Sequence, residues 1–248
     1  MRRYGLIGRT LTHSFSKNYF TKKFEENGIA NCVYDNFELA TINDFPQLLQ
    51  KYPDLRGLNI TIPYKEDILP FLSNSNGIVK EVGACNCIRL DGETITGYNT
   101  DVIGFWRSLQ PKLKPHHKKA LVLGTGGAAK AIRYVLQQLG IDYRMVSRRK
   151  GLEEMGYEDL GEEVLANYHL VINTTPLGMY PNVDADPPIP YEYLTGKHFL
   201  YDVIYNPAKT KFLAEGEKRG AQICNGYEML IEQAEESWRI WTTERAPS

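Results

Sequence analysis

Four cysteines in 248 residues are too few and too scattered for a disulfide framework. Cys32, Cys85, Cys87 and Cys224 include no CxxC pair and no cysteine–histidine cluster at zinc spacing, so they read as reduced structural thiols and no metal is expected. No stretch approaches the roughly 18 consecutive apolar residues of a membrane span. The basic start MRRYGLIGRTLTHSFS lacks the apolar core of a secretory signal. Neither charge is in excess: 29 basic residues face 30 acidic ones, a formal net charge of −1. That balance argues against general attraction to nucleic acid or to an anionic membrane. No repeat or low-complexity tract is evident. Histidine is scarce; His116 and His117 fall in PKLKPHHKK, which reads as a solvated linker, and His13 lies beside a candidate site. What is left is a globular chain of one large or two small domains, cytoplasmic by default and free to act on a small molecule as a monomer or homodimer.

The segments that are present alternate. RYGLIG, NCVYDNFEL and GLNITIP read as strands; SKNYFTKKFEENG and TINDFPQLLQKYP read as helices, closed by Gly28 and Pro53, and YKEDILPFLS as a short third. CNCIRLDGETITGYNTD reads as a hairpin turning at Asp91–Gly92. DVIGFWRSLQP is a helix leading out of this unit. Beyond the linker, KALVLG, YRMVSRR, YHLVINTTPLGM and HFLYDVIYNP are apolar runs with polar or glycine ends, as in parallel strands. GYEMLIEQAEESWRIWTTE closes the chain as a helix with Met229, Leu230, Ala234, Trp238 and Trp241 near one side. The expectation is an α/β protein of two domains with mostly parallel sheets.

Two stretches carry chemistry. In NITIPYK, Asn59 and Thr61 share one strand face, while Ile60 and Ile62 share the other. The first face is either the wet side of an edge strand or, with Lys65 beyond the strand tip, the lining of a pocket for a polar small molecule. The second stretch follows the strand Ala120–Leu123: Gly124-Thr125-Gly126-Gly127-Ala128-Ala129, then a helix ending at Gly140. This fits the G-x-G-x-x-G/A turn, in which small residues admit a pyrophosphate to a helix N-terminus. The next strand ends in Ser147-Arg148-Arg149-Lys150, without the carboxylate that bonds a ribose 2′-hydroxyl in NAD sites. Guanidinium groups there suit a 2′-phosphate, so the expected cofactor is NADP.

Taken together, HSFS, NITIPYK, GACN, GYNTD, GTGGAAKA, SRR, INTTPLGM, DVIYNP and GYEMLIEQA, in this order over nearly the whole chain, resemble the shikimate dehydrogenase family. The resemblance implies a substrate domain of residues 1–103 plus 226–248, a Rossmann-type NADP domain of residues 104–225, and a cleft between them. It implies that Ser14 and Ser16 hold the substrate carboxylate, that Asn59, Thr61, Lys65, Asn86, Asp101 and Gln233 meet the ring hydroxyls, and that Tyr205 sits close by. It assigns catalysis to Lys65 and Asp101. It assigns the cofactor to Gly124, Gly126, Gly127, Ala128, Ser147, Arg148 and Arg149, with Thr174, Val203 and Gly226 toward the nicotinamide. The chain departs from the family pattern in three places. SxSPxxHN is replaced by SFSKNYF, Asn-Arg-Thr by Ser-Arg-Arg, and GAxNT by GACNC.

The residue chemistry is compatible with that reading. Reducing a ketone by hydride creates an alkoxide that needs a proton and a nearby positive charge. Lys65 can supply both, and Asp101 can orient it or share the proton; which of the two donates is open. Hydroxyls and amides both donate and accept, as a polyhydroxylated ring requires. Two other readings stand beside this one: a quinate/shikimate dehydrogenase of broader specificity, and a non-catalytic NADP-binding regulatory protein on the same fold.

Overall fold

The computed structural model describes residues 1–12, 14–148 and 154–243. The chain divides into two compact units, residues 1–100 with 234–248 and residues 101–233. Each unit has one six-stranded sheet among the described residues. Asp101–Ile103 and Gly226–Gln233, expected in the first unit, belong to the second.

The first unit contains β1 (Arg2–Gly8), α1 (Phe15–Glu26), β2 (Cys32–Glu38), α2 (Phe45–Lys51), β3 (Leu55–Ile60), β4 (Asn74–Ser75), α3 (Gly77–Val82), β5 (Cys87–Asp91) and β6 (Thr94–Tyr98). The strand order is β2-β1-β3-β5-β6-β4. β1 pairs parallel to β2 and β3, whereas β5 runs antiparallel to both β3 and β6. The central β3 is buried on both faces, which disposes of the wet-edge reading of NITIPYK. Leu58 and Ile60 join one apolar cluster with Ile7, Phe45, Tyr64, Ile68 and Ile88. The other face meets a second cluster built on Tyr4, Phe20, Phe24, Tyr34 and Trp241. Trp241 lies against Gly57 so closely that a Cβ there would come within 2.2 Å of the indole. Its Nε1 donates to the Ile88 carbonyl at 2.9 Å.

Several local expectations shift. β3 stops at Ile60, because the chain turns before Pro63, and Ile62 is left 77% exposed. YKEDILPFLS forms turns and one 3-10 turn, Leu69–Phe71, rather than an α-helix, since Pro70 cannot donate to a continuing ladder. The hairpin turns at Gly92–Glu93: Asp91 still pairs with Thr94, and Gly92 takes the left-handed φ of 61° that a two-residue loop asks of glycine.

The chain enters the second unit within α4 (Thr100–Leu109). There follow β7 (Lys119–Leu123), α5 (Gly127–Gln138), β8 (Asp142–Ser147), β9 (Glu154–Gly156), α6 (Glu162–Asn167), β10 (Leu170–Asn173), β11 (Phe199–Asp202), α7 (Lys211–Lys218) and β12 (Gln222–Cys224). The order β12-β11-β10-β7-β8-β9 is wholly parallel. This is the doubly wound dinucleotide-binding order, reversing direction between β7 and β10. α8 (Tyr227–Thr242) begins in this unit and ends in the first.

The expected solvated linker is a packed corner. His117 is 2% exposed, and its Nδ1 accepts the Lys114 N–H at 3.0 Å. Its ring meets those of His116 and Phe199, and His169 bridges His116 to His198. The basic composition of PKLKPHHKK concealed this, because the partners lie some 50 to 80 residues further along the chain.

Candidate functional site

In the first unit, α1 starts at Ser14, whose hydroxyl oxygen caps the helix by accepting the Lys17 N–H at 3.3 Å. Ser16 lies in the first turn. Both serines therefore stand at the N-terminus of a 12-residue helix, where a carboxylate is favoured. Thr61 is fixed just beyond β3 by its N–H to the Ile7 carbonyl at 2.9 Å. Tyr64, buried and donating from its hydroxyl to the Leu39 carbonyl at 2.6 Å, anchors the following turn. Half-buried Lys65 comes next, its carbonyl accepting the Cys85 N–H at 2.8 Å, which ties it to the segment that carries Asn86.

Asn59 and Asn86 are buried, at 5% and 3% exposure. Asn59 accepts from the Tyr34 hydroxyl at 2.9 Å and donates to Ser237 Oγ at 2.8 Å and the Asn86 carbonyl at 3.4 Å. Asn86 accepts the Thr100 N–H at 2.6 Å and donates to Thr100 Oγ1 at 3.0 Å. Thr100 Oγ1 and Ser237 Oγ complete the circuit at 3.2 Å. Tyr34, Thr100 and Ser237 escaped the sequence reading. Nothing local marks them: Ser237 is 178 positions from Asn59.

In the second unit, Asp101 occupies the first turn of α4, and Gln233 lies on α8 with its amide donating to the Leu230 carbonyl at 2.9 Å. They are the first and last residues of that unit. α4 and α8 touch at Gly104, where a Cβ would meet the Met229 carbonyl oxygen at 2.5 Å. Tyr205, just past β11, is 36% exposed.

The glycine turn leaves β7 at the sheet's point of reversal. Gly124 adopts φ 100°, a value reserved in practice for glycine, and a Cβ there would come within 2.8 Å of Thr174 Oγ1. Thr174 donates from Oγ1 to the Leu123 carbonyl at 2.7 Å, which holds the ends of β7 and β10 together. Gly126 is the N-cap residue of α5 and no side chain caps that helix. A Cβ on Gly126 or Gly127 would meet nothing within 4 Å, whereas Ala129 is buried against the sheet. These residues fit a dinucleotide: uncapped helix amides for a pyrophosphate, approached over glycines. Ala128 follows in the first turn of α5; Ser147 ends β8 with exposed Arg148 next to it. Arg149 lies outside the described residues, as does His13.

Val203 and Gly226 stand at the carboxyl end of β11. Val203 donates its N–H to the Asn173 carbonyl at 3.1 Å, and Gly226 donates to the Ile204 carbonyl at 3.0 Å. A Cβ on Gly226 would strike the Val203 carbonyl oxygen at 2.0 Å, so only glycine fits. Beneath them Asp202, fully buried, accepts from Thr210 at 2.6 Å, Ile204 N–H at 3.0 Å and Asn173 at 3.1 Å. Burial pushes its carboxyl up to about 6 against these donors.

The family profile described as "Shikimate dehydrogenase substrate binding domain" matches residues 6–88. The chain is 38% identical to "Shikimate dehydrogenase (NADP(+))" of Caldicellulosiruptor saccharolyticus, over 97% of this chain and 92% of that one. It belongs to the shikimate dehydrogenase family. Among solved structures, shikimate 5-dehydrogenase of Thermus thermophilus in complex with NADP(H) and shikimate superposes with a TM-score of 0.86. The identity there is 27%, covering 98% of this chain and 94% of the other. Quinate dehydrogenase of Corynebacterium glutamicum in complex with NAD reaches the same TM-score at 28% identity, covering 97% and 93%. The shikimate dehydrogenase profile spans the candidate residues Ser14, Ser16, Asn59, Thr61, Lys65 and Asn86 but stops short of Thr100 and Ser237.

Proposed function

We propose that this protein is an NADP-dependent shikimate dehydrogenase, which reversibly reduces 3-dehydroshikimate to shikimate. The supporting observation is the coexistence in one chain of the glycine turn at a sheet reversal and, in the other unit, a family-matched segment that ends its central strand near Lys65. When bound, the nicotinamide cofactor supplies or receives the hydride. The chain's own residues do the rest.

Ser14 and Ser16 take the carboxylate at the α1 N-terminus. Asn59, Thr61, Asn86 and Gln233 meet hydroxyls, and Tyr205 lies close by. Lys65 and Asp101 hold between them the proton that the alkoxide oxygen gains in reduction and loses in oxidation; the ammonium also stabilises the developing charge. The glycine turn and α5 hold the pyrophosphate. Ser147 and Arg148, with Arg149, hold the 2′-phosphate, and Thr174, Val203 and Gly226 shape the nicotinamide end. The substrate domain is residues 1–103 with 226–248 and the cofactor domain is residues 104–225, the first residues of α4 and α8 serving the substrate although they cluster with the second unit. Because the strand after the glycine turn ends in Ser-Arg and not in a carboxylate, NADP is preferred over NAD. A cytoplasmic location and a monomeric or dimeric state belong to the same proposal.

The test is the change in nicotinamide absorbance with shikimate and NADP, run beside quinate and NAD. Turnover of the first pair is expected. Faster turnover of the second moves the protein to the quinate reading, and none with either moves it to the regulatory one.

A further inference from the structure

We propose that Tyr34, Asn59 and Ser237 are positioning residues: a polarised chain of hydrogen bonds that sets the donor direction of Asn86. This rests on the shikimate dehydrogenase reading and revises one part of it, since Asn59 acts through its neighbours instead of meeting the ring.

Backbone groups fix the polarity, because they cannot swap roles. The Asn86 carbonyl only accepts, so the nitrogen of the Asn59 amide faces it at 3.4 Å. The Asn59 oxygen consequently faces Tyr34, which must donate to it at 2.9 Å. The tyrosine has one proton and that proton is engaged. Burial raises the Tyr34 pKa well above its ordinary value, so the hydroxyl stays protonated. At the other end, the Thr100 N–H only donates, so the Asn86 amide oxygen faces it at 2.6 Å. One Asn86 amide hydrogen goes to Thr100 Oγ1 at 3.0 Å. What Asn86 retains for a ligand is therefore the donor edge of its amide, suited to a hydroxyl or ketone oxygen.

Ser237 joins the two halves. Its Oγ receives the second Asn59 hydrogen at 2.8 Å and lies 3.2 Å from Thr100 Oγ1. Ser237 is fully buried on α8, a helix that reaches this sheet only at the end of the chain. Asn59 has both amide hydrogens and its oxygen committed within the fold at 5% exposure, the condition of a strut and not of a contact. Thr100 immediately precedes Asp101, so the same circuit fixes where α4 begins.

Tyr34→Phe removes one hydroxyl without changing shape, and Ser237→Ala uncouples the halves. In the full-length protein each is expected to raise the KM for shikimate about tenfold, the value of one neutral hydrogen bond. The dissociation constant for NADP, measured by calorimetry, should stay within about twofold. The double variant should lose less than the product of the single losses, since both act through Asn59. Ser237→Thr, which keeps the hydroxyl, should recover most of the affinity; Ser237→Cys serves if the added methyl prevents folding. The inference is overturned by an unchanged shikimate KM in both single variants, by parallel loss of shikimate and NADP affinity, or by strictly multiplicative losses. Wild-type protein inert toward shikimate and NADP would instead remove the functional reading beneath it.

Discussion

The two sheets solve the problem of placing polar groups in opposite ways. In the second unit β10 and β11 are apolar until their last residue: they bury every position, and polarity appears at Asn173 and Asp202, where the chain is about to leave the sheet. The groups proposed to face its ligand are mainly backbone, namely the uncapped amides of α5 and the glycines before it. In the first unit polarity runs through the sheet interior, from Tyr34 on β2 through Asn59 on β3 to Asn86, with Thr100 and Ser237 arriving from two helices. A phosphate needs donors in a row, which a helix end supplies to many sequences. A ring with several hydroxyls needs donors and acceptors in a set order, which only side chains in fixed rotamers supply.

The largest effect expected from this contrast lies in the chemistry. Lys65→Ala or Asp101→Ala should reduce turnover by roughly 10²–10⁴-fold while NADP binding persists; stopped-flow rates with calorimetric NADP constants check this, and wild-type turnover in both would end the catalytic assignment. Next come the close approaches. Gly57→Ala drives a methyl into an indole that is itself held by Ile88, and should cost roughly 2–3 kcal/mol with loss of shikimate binding. Gly226→Ala drives one into the Val203 carbonyl and should instead weaken NADP binding. Identical ligand profiles for the two variants would erase the division of labour between the units.

A smaller effect concerns pH. His117 accepts a backbone N–H at Nδ1, so its ring is neutral, and burial lowers its pKa from 6.5 to about 4 with help from His116, Lys114 and His169. The stability it contributes is complete above pH 6.5 and is lost as the pH falls toward 4. Asp202 runs the other way: its pKa is raised from 3.8 to about 6, so its contribution is lost as the pH rises across that interval. The two slopes oppose each other within one unit. His117→Gln removes one of them, so the stability gap to wild type should shrink by about 2 kcal/mol between pH 7 and pH 4. Urea midpoints across that range measure the gap, and a constant one removes His117 from the account. Smallest, Arg148→Ala should weaken NADP about tenfold and leave NAD unchanged; equal effects on both would return Arg148 to the general surface.

The parts legible in sequence were those that a short stretch decides alone. The glycine turn could be read because Gly124, Gly126 and Gly127 answer to backbone conformation and close approach, and the parallel strands because burial on both faces leaves an apolar run. Asn59 was visible as an odd amide in such a run, but its partners were not, since Tyr34 and Ser237 meet it only after the fold has closed. His117 was misread for the same reason: Lys197 and His169 are distant in the chain. Ile62 was misread because alternation was extended one turn past the real end of β3.

Trp241 has one more consequence. It stacks on Tyr4 at 5.0 Å, bonds Ile88 and fills the groove over Gly57, yet it lies within the last ten residues of the chain. The first sheet is thus completed by a segment that returns to it only after the whole second unit, residues 101–233, has intervened in the chain. A cut between the units would part that sheet from the indole that covers it.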